Sequence, residues 1–256
     1  MVPEDPQFTL KLASDPLDFT AAQRLRYRVF VNELGGNGPL VDHAAKLEKD
    51  QFDPFYDHLI LIDNKRDAKD LNHVIGAYRM LRSDLAAKAG GFYSEGEYDL
   101  KPLLDSGRSL LELGRSCVDI EYRGGKAMYY LWTGLAEYVQ EHGVEILFGV
   151  ASFHGTDPHS LAAPLSLLHH RYLAPEGLRV RVKEEYHQPM NLMEPEKIDR
   201  LGAMRVTPAL IKAYLRLGGF VGDGAYIDHA FNTTDVCLVV DINRMNERQS
   251  GLYRKG

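Results

Sequence analysis

At 256 residues, 45% hydrophobic and 26% charged, the chain has the length and composition to bury a core without disulfide staples. A formal net charge of −6 argues against nucleic acid as a partner, and no apolar run nears the roughly 20 residues of a membrane-spanning helix. The opening Met1–Pro6 is acidic and lacks the segments of a signal peptide. Cys117 and Cys237 sit far apart in apolar segments, so the chain reads as a cytoplasmic protein with reduced, packed thiols.

Phe8–Leu12 alternates in hydropathy and predicts a first strand. Asp15 and Pro16 have the capping chemistry of a helix running through Leu17, Ala21, Leu25 and Phe30, ended by the Gly35–Pro39 loop. A polar, partly helical stretch from Asp42 to Asp57 follows. Two apolar runs, His58–Ile62 and Val74–Leu81, predict neighbouring strands joined by a charged turn around Lys65–Asp67. Residues 83–108 read as an irregular insertion. Leu110–Ile120 predicts a strand, and Gly125–His142 a helix with Met128, Leu131, Trp132, Leu135 and Val139 on its apolar face. Ile146–Phe153 is nearly continuous apolar, as in a strand covered on both sides. Thr156, Asp157 and Pro158 predict the cap of a helix toward Tyr172. A helix over Thr207–Leu217 and strands near Ala225–His229 and Val236–Asp241 complete the pattern. The alternation predicts a single α/β domain over residues 1–256, a mixed sheet with helices on both faces, elaborated from about residue 175 onward.

Four motifs fall on these elements: Arg26 with Phe30 on the first helix, and Asp50 with Asp53 before the second strand. The others are Gly76 with Arg79 on the third strand and Glu112 with Arg115 on the fourth. In that order they resemble the motifs of acyl-homoserine-lactone synthases, a branch of the GNAT N-acyltransferase fold. The aromatic expected after Phe30 is replaced by the Gly35-Gly36 loop. The C-terminal half, with Leu210–Phe220 and Ile227–Val236, resembles instead the L-ornithine Nα-acyltransferases, and that likeness spans residues 15 to 242. It implies a GNAT-like mixed sheet with a central splay around Leu113–Val118 and Ile146–Ser152. It also implies transfer of a (3-hydroxy) fatty acyl group from acyl carrier protein to the α-amine of ornithine, giving lyso-ornithine lipid. No permanently bound cofactor is implied; the donor is the carrier's phosphopantetheine thioester. Three other readings stay open: acylation of glutamine or another amino acid, a signal synthase of the homoserine-lactone type, and a non-catalytic GNAT scaffold.

Acyl transfer from a thioester to an amine needs a deprotonated amine beside the carbonyl, a donor for the developing oxyanion and a route for the lost proton. The resemblance makes Glu112 and Arg115 the candidate catalytic residues, with Glu112 accepting the amine proton or holding the ammonium. Three residues apart, they lie on opposite faces of a regular strand, and a bulge at Gly114 would bring them together. Arg26, Phe30, Asp50, Asp53, Arg79, Asp228 and Asp235 are the candidate substrate-binding residues. The competing reading makes Arg26, Arg79, Arg115, Asp50, Asp53 and Glu112 an ion-pair cluster that locks helices onto the sheet, and makes Asp228 and Asp235 flank a structural turn. Backbone N–H groups of Cys117 and Val118 are candidates for the pantetheine and the thioester oxygen. Arg123, Gly124, Gly125 and Lys126, ahead of a helix, are candidates for its phosphate. Lys126 and Met128 replace the small residues of the usual acetyltransferase pattern, which favours a carrier protein over coenzyme A. Cys117 reads as a packed thiol, and the histidines lack the spacing of a metal site. Arg179, Arg181 and Lys183, or Lys212 and Arg216, are candidate docking surfaces for an acidic carrier or lipid headgroups. Leu161, Leu165, Leu167 and Leu168 serve either the core or a peripheral contact with the inner face of the membrane.

Overall fold

The computed structural model describes residues 7–245; the acidic Met1–Pro6 lies outside them. In chain order the elements are β1 (Phe8–Leu12), α1 (Pro16–Arg26), a π-helix (Tyr27–Glu33), β2 (Asp57–Asp63), β3 (Val74–Arg82), α2 (Ser83–Ala89), β4 (Tyr98–Asp99) and α3 (Lys101–Leu104). They continue with β5 (Leu110–Val118), α4 (Ala127–Glu141), β6 (Ile146–His154), α5 (Ala162–Tyr172) and β7 (Arg181–Val182). The last are α6 (Arg200–Val206), α7 (Ala209–Arg216), β8 (Phe220–Val221), β9 (Tyr226–Asp228) and β10 (Thr233–Asp241). Residues 7–90 and 113–143 form one compact unit, and residues 91–112 and 144–245 a second.

In the first unit the strand order is β1-β2-β3-β5. β1 and β2 pair antiparallel from Phe8↔Asp63 to Leu12↔Leu59, and β2 pairs antiparallel with β3. Alternation along β2 sends its side chains to two layers. Ile60 joins Ala21, Ala22 and Leu25 of α1 in one buried cluster. Leu59 and Leu61 face α4, where Leu59 lies against Gly134. A Cβ on Gly134 would come within 2.6 Å of Leu10, so glycine in mid-helix lets α4 settle on β1 and β2. The predicted cap of α1 holds: the Asp15 carboxylate accepts the Asp18 N–H at 2.9 Å, with Pro16 in the first turn. The helix does not stay α through Phe30 but widens at Tyr27 into the π-helix. Over seven residues, apolar spacing does not separate a 3.6-residue turn from a wider one.

In the second unit the first residues of β5 pair parallel with β6, from Leu110↔Ile146 to Glu112↔Phe148. On its other side β6 pairs antiparallel with β10 along all nine residues, Ile146↔Asp241 to His154↔Thr233. β8 and β9 add to β10, and β4 pairs with β7. Parallel and antiparallel ladders therefore share one mixed α/β architecture. α5 begins at Ala162, later than Thr156–Pro158 predict, because Asp157 closes a tight turn through the His159 N–H instead. Leu165, Leu167 and Leu168 are buried, which assigns them to the core and removes them as a membrane contact. The helix expected over Thr207–Leu217 is α7, which opens after Pro208, and α6 before it is a further helix that the sequence reading did not predict. Among the described residues no helix is long and apolar enough to cross a membrane.

Candidate active site

Three arginines and three carboxylates of the first unit converge into one buried ion cluster. Arg26, at the end of α1, is fully buried; its Nε donates to Glu48 and its Nη1 to Asp53 Oδ1 at 2.6 Å. Arg79, on β3, donates to Asp53 at 2.6 Å and to Asp50 at 2.9 Å, and stacks over the Tyr56 ring at 4.3 Å. Arg115, on β5, donates from Nε to Glu48 Oε1 at 3.2 Å, with Asp50 at 3.7 Å and the Phe30 ring 5.9 Å away. Glu48 is itself fixed by its N–H, which donates to the Gln23 carbonyl at 3.1 Å. The Gln23 side chain donates to the second oxygen of Asp53 at 2.9 Å.

The charges balance, and the cluster holds them ionised. Burial alone would raise Asp53, but Arg26 and Arg79 hold it well below the usual carboxylate range. Burial likewise opposes ionisation of Glu48, and Arg26 and Arg115 reverse it. His58, packed beside Asp53, is pushed down to about 4 by burial and by the Arg26 charge, so it is a neutral member. The expected cluster thus forms, with one exchange: Glu48 takes the place anticipated for Glu112. Charge balance gave no warning of the exchange, since the anticipated set with Glu112 also pairs three arginines with three carboxylates.

Arg115 has φ +48, in the left-handed region, immediately after Gly114. The strand irregularity expected at Gly114 therefore falls one residue later, and the two carboxylates around the Arg115 guanidinium hold it there. Cys117 lies in the core cluster with Ala21 and Leu25, and burial pushes its thiol up to about 12. Val118 is buried beside it; its carbonyl accepts from Arg123 Nε at 2.9 Å, while Arg123 Nη2 reaches Glu33 at 2.7 Å. Gly124 has φ +76, and Gly125 and Lys126 lead into α4. Beside this loop a pocket of about 420 Å³ is lined by Arg28, Glu33, Arg66, Asn72, Asp119 and Ile120. Its two arginines are both paired with Asp119, at 3.0 and 3.3 Å.

Glu112, in the second unit, is 1% exposed. Its carboxylate accepts the Tyr93 N–H at 2.8 Å, the Ser94 N–H at 2.7 Å and the Ser94 hydroxyl at 2.5 Å. It thereby caps the 3₁₀ turn Tyr93–Gly96 from a neighbouring strand. Asp228 closes a turn through the N–H groups of Ala230 and Phe231. Asp235 is buried in β10 opposite Ser152 and Tyr226, and its carbonyl accepts from the Tyr98 hydroxyl. The alternating cations do not form a free face, because Arg179 and Arg181 both pair with Glu176 and Arg181 also with Asp223.

A family model described as an acetyltransferase (GNAT) domain matches residues 25–133, the stretch that contains the whole ion cluster. FeeM, an N-acyl amino acid synthase from uncultured soil microbes, shares the fold with a TM-score of 0.51 at 11% identity, covering 93% of this chain and 92% of that one. The AHL synthase LasI gives 0.50 at 14% identity, covering 97% and 95%. The protein is an acyltransferase built on the GNAT fold. Curated relatives narrow the class. The L-ornithine N(alpha)-acyltransferase of Rhodobacter capsulatus is 57% identical over 97% of this chain and 95% of its own. That of Brucella abortus is 41% identical over 95% and 88%. The chain belongs to the L-ornithine N(alpha)-acyltransferase family.

Proposed function

We propose that this enzyme transfers a (3-hydroxy) fatty acyl group from the phosphopantetheine thioester of acyl carrier protein to the α-amine of ornithine, forming lyso-ornithine lipid. The observation that carries the proposal is the 57% identity, along nearly the whole chain, to a relative named for ornithine Nα-acylation. Direct attack of the amine on the thioester is supported by Cys117, whose thiol is raised to about 12 and is therefore no nucleophile at neutral pH. The thioester oxygen is proposed to meet the backbone N–H groups of Cys117 and Val118. The pantetheine phosphate is proposed to meet the loop Arg123-Gly124-Gly125-Lys126 at the start of α4.

Of the cluster residues, Arg26, Arg79 and Asp53 are engaged with one another and nearly sealed, so their proposed task is to hold Arg115, Phe30 and Asp50. Asp50 and Arg115, with side chains 17% and 13% exposed, are the pair proposed to meet the ornithine amine and carboxylate. Glu112 keeps one proposed role in proton transfer, since a carboxylate has about four lone-pair sites and three donors already use Glu112. Asp228 and Asp235 enter the proposal as supports of the turn that they flank. We further treat residues 1–256 as one catalytic domain in the cytoplasm, meeting the inner face of the membrane into which a single-chain acyl amino acid partitions.

The test is mass spectrometry of products from purified protein, 3-hydroxyacyl carrier protein and a mixture of amino acids. Nα-acyl ornithine is the expected product. Acyl glutamine in its place would move the acceptor, equal turnover with acyl coenzyme A would remove the carrier, and no product with any amine would leave a scaffold.

A further inference from the structure

Three arginines stand in or beside the loop 123–126, and each is held by a carboxylate of the first unit. Arg123, in the loop itself, gives Nη2 to Glu33 at 2.7 Å and Nε to the Val118 carbonyl at 2.9 Å. Arg66 donates to Glu121 and, at 3.3 Å, to Asp119. Arg28 donates to the same Asp119 oxygen at 3.0 Å and to the Val74 carbonyl at 3.3 Å. Asp119 is buried, and its other oxygen accepts the Glu121 N–H at 3.1 Å. That bond caps the short turn Ile120–Tyr122 and sets Glu121 at the surface, its side chain 71% exposed.

The pocket of about 420 Å³ beside the loop is therefore lined by Arg28 and Arg66 against Glu33, Asp119 and Glu121. With Arg123 included the two signs cancel, and Lys126 adds one cation. A carrier protein's phosphopantetheine brings one phosphodiester here, with a single negative charge that this balance matches. Coenzyme A brings a diphosphate, its second phosphate joined through one oxygen to the first, and a third phosphate on its ribose. Arginine is the side chain best shaped to hold phosphates, yet these guanidinium groups already donate to carboxylates and carbonyls. N–H groups at the start of α4 can serve one phosphate, and the further two meet Glu33 and Glu121 as like charges.

We propose that Glu33 and Glu121 select the acyl donor: by neutralising Arg123 and Arg66 beside the phosphate loop, they admit phosphopantetheine and disfavour coenzyme A. The inference rests on the phosphate loop and carrier-borne donor of the functional proposal, and turns that preference into a property of two side chains. The experiment titrates the purified full chain with 4′-phosphopantetheine and with coenzyme A by calorimetry, in wild type, Glu33→Gln, Glu121→Gln and the double variant. Kinetics with 3-hydroxyacyl carrier protein and 3-hydroxyacyl coenzyme A follow on the same four proteins.

Wild type binds phosphopantetheine more tightly than coenzyme A. Each substitution strengthens coenzyme A relative to phosphopantetheine by about fivefold and the pair by about 25-fold, and raised salt shrinks the gain. The ratio of KM for the coenzyme A donor to KM for the carrier donor falls in step. Both acids form surface pairs, so melting temperatures move little. Glu194→Gln with Glu196→Gln removes the same charge from exposed positions of the second unit and leaves both ratios unchanged. Equal wild-type affinity for the two probes overturns the proposal. So does a double variant that holds coenzyme A no better than wild type, or gains equally for both donors, or shifts no further than the control pair. Titration needs no turnover: selection without acyl transfer refutes the reaction alone, and transfer from the carrier with unshifted ratios refutes the selection alone.

Discussion

Replacing Glu112 by glutamine preserves side-chain size and removes the charge on which the 93–96 turn hangs. Three donors meet the native carboxylate: two backbone N–H groups at 2.8 and 2.7 Å and the Ser94 hydroxyl at 2.5 Å. The single oxygen of an amide retains the two from Ser94 and turns its NH2 against the Tyr93 N–H. One buried backbone donor is then orphaned, at about 1–3 kcal/mol, and lost charge assistance on the others adds about 1 kcal/mol. The expected loss is about 2–4 kcal/mol, which for a chain of this size lowers Tm by roughly 5–12 °C. Thermal unfolding followed by circular dichroism measures it, with turnover assayed well below both melting temperatures. Glu112→Ala orphans all three donors and falls further. A glutamine variant that melts within about 1 °C of wild type would refute the strut, and a fall in kcat of roughly 10²–10⁴ at that unchanged stability would leave Glu112 with proton transfer alone.

Glu48→Ala leaves Arg26 and Arg115 facing too few carboxylates and should cost about 3–5 kcal/mol in denaturant unfolding; a loss below about 1 kcal/mol would dissolve the charge-balance argument. His58 carries a pKa of about 4 when folded against 6.5 when free, so between these values the unfolded chain holds the extra proton and stability declines as pH falls. From pH 7 to 5 this amounts to about 2 kcal/mol, on top of whatever His73 and His169, also shifted downward by burial, contribute. The decline should be shallower by that amount in His58→Gln, and identical slopes would show that His58 takes up its proton alike in the folded and unfolded chain. Cys117→Ala should keep activity within about twofold, and iodoacetamide should leave the native enzyme active; a hundredfold loss would indicate an acyl-thioester intermediate.

Strands such as Phe8–Leu12 and Ile146–His154 were legible because one chemical pattern, alternation or a continuous apolar run, dictates one burial state. The Asp15–Pro16 cap was legible for the same reason, a local signal with a local outcome. Thr156–Pro158 carries nearly the same signal and starts no helix, because Asp157 satisfies its neighbours in a turn and α5 waits for Ala162. The cluster was legible as a set of arginines and aspartates but not in its full membership. Glu48 sits in a polar stretch with no periodicity, and only the fold carries it to Arg26 and Arg115. Glu112 has the composition of a reacting group, and its three donors come from a turn that no sequence pattern marks.

The balanced set of three arginines and three carboxylates also limits how the sequence can drift. Deleting one of the sealed members, such as Glu48 or Arg26, strands a buried charge, whereas exchanging a whole buried group for apolar side chains of similar volume is often neutral or stabilising. The accessible and the forbidden routes therefore differ in the number of simultaneous changes, not in the merit of the destination. Arg26, Glu48, Asp50, Asp53, Arg79 and Arg115 come from four separate stretches of chain, so no single local event can alter them together. The cluster behaves as an interlock: once assembled it holds itself in place across generations, whether or not each of its charges touches a substrate.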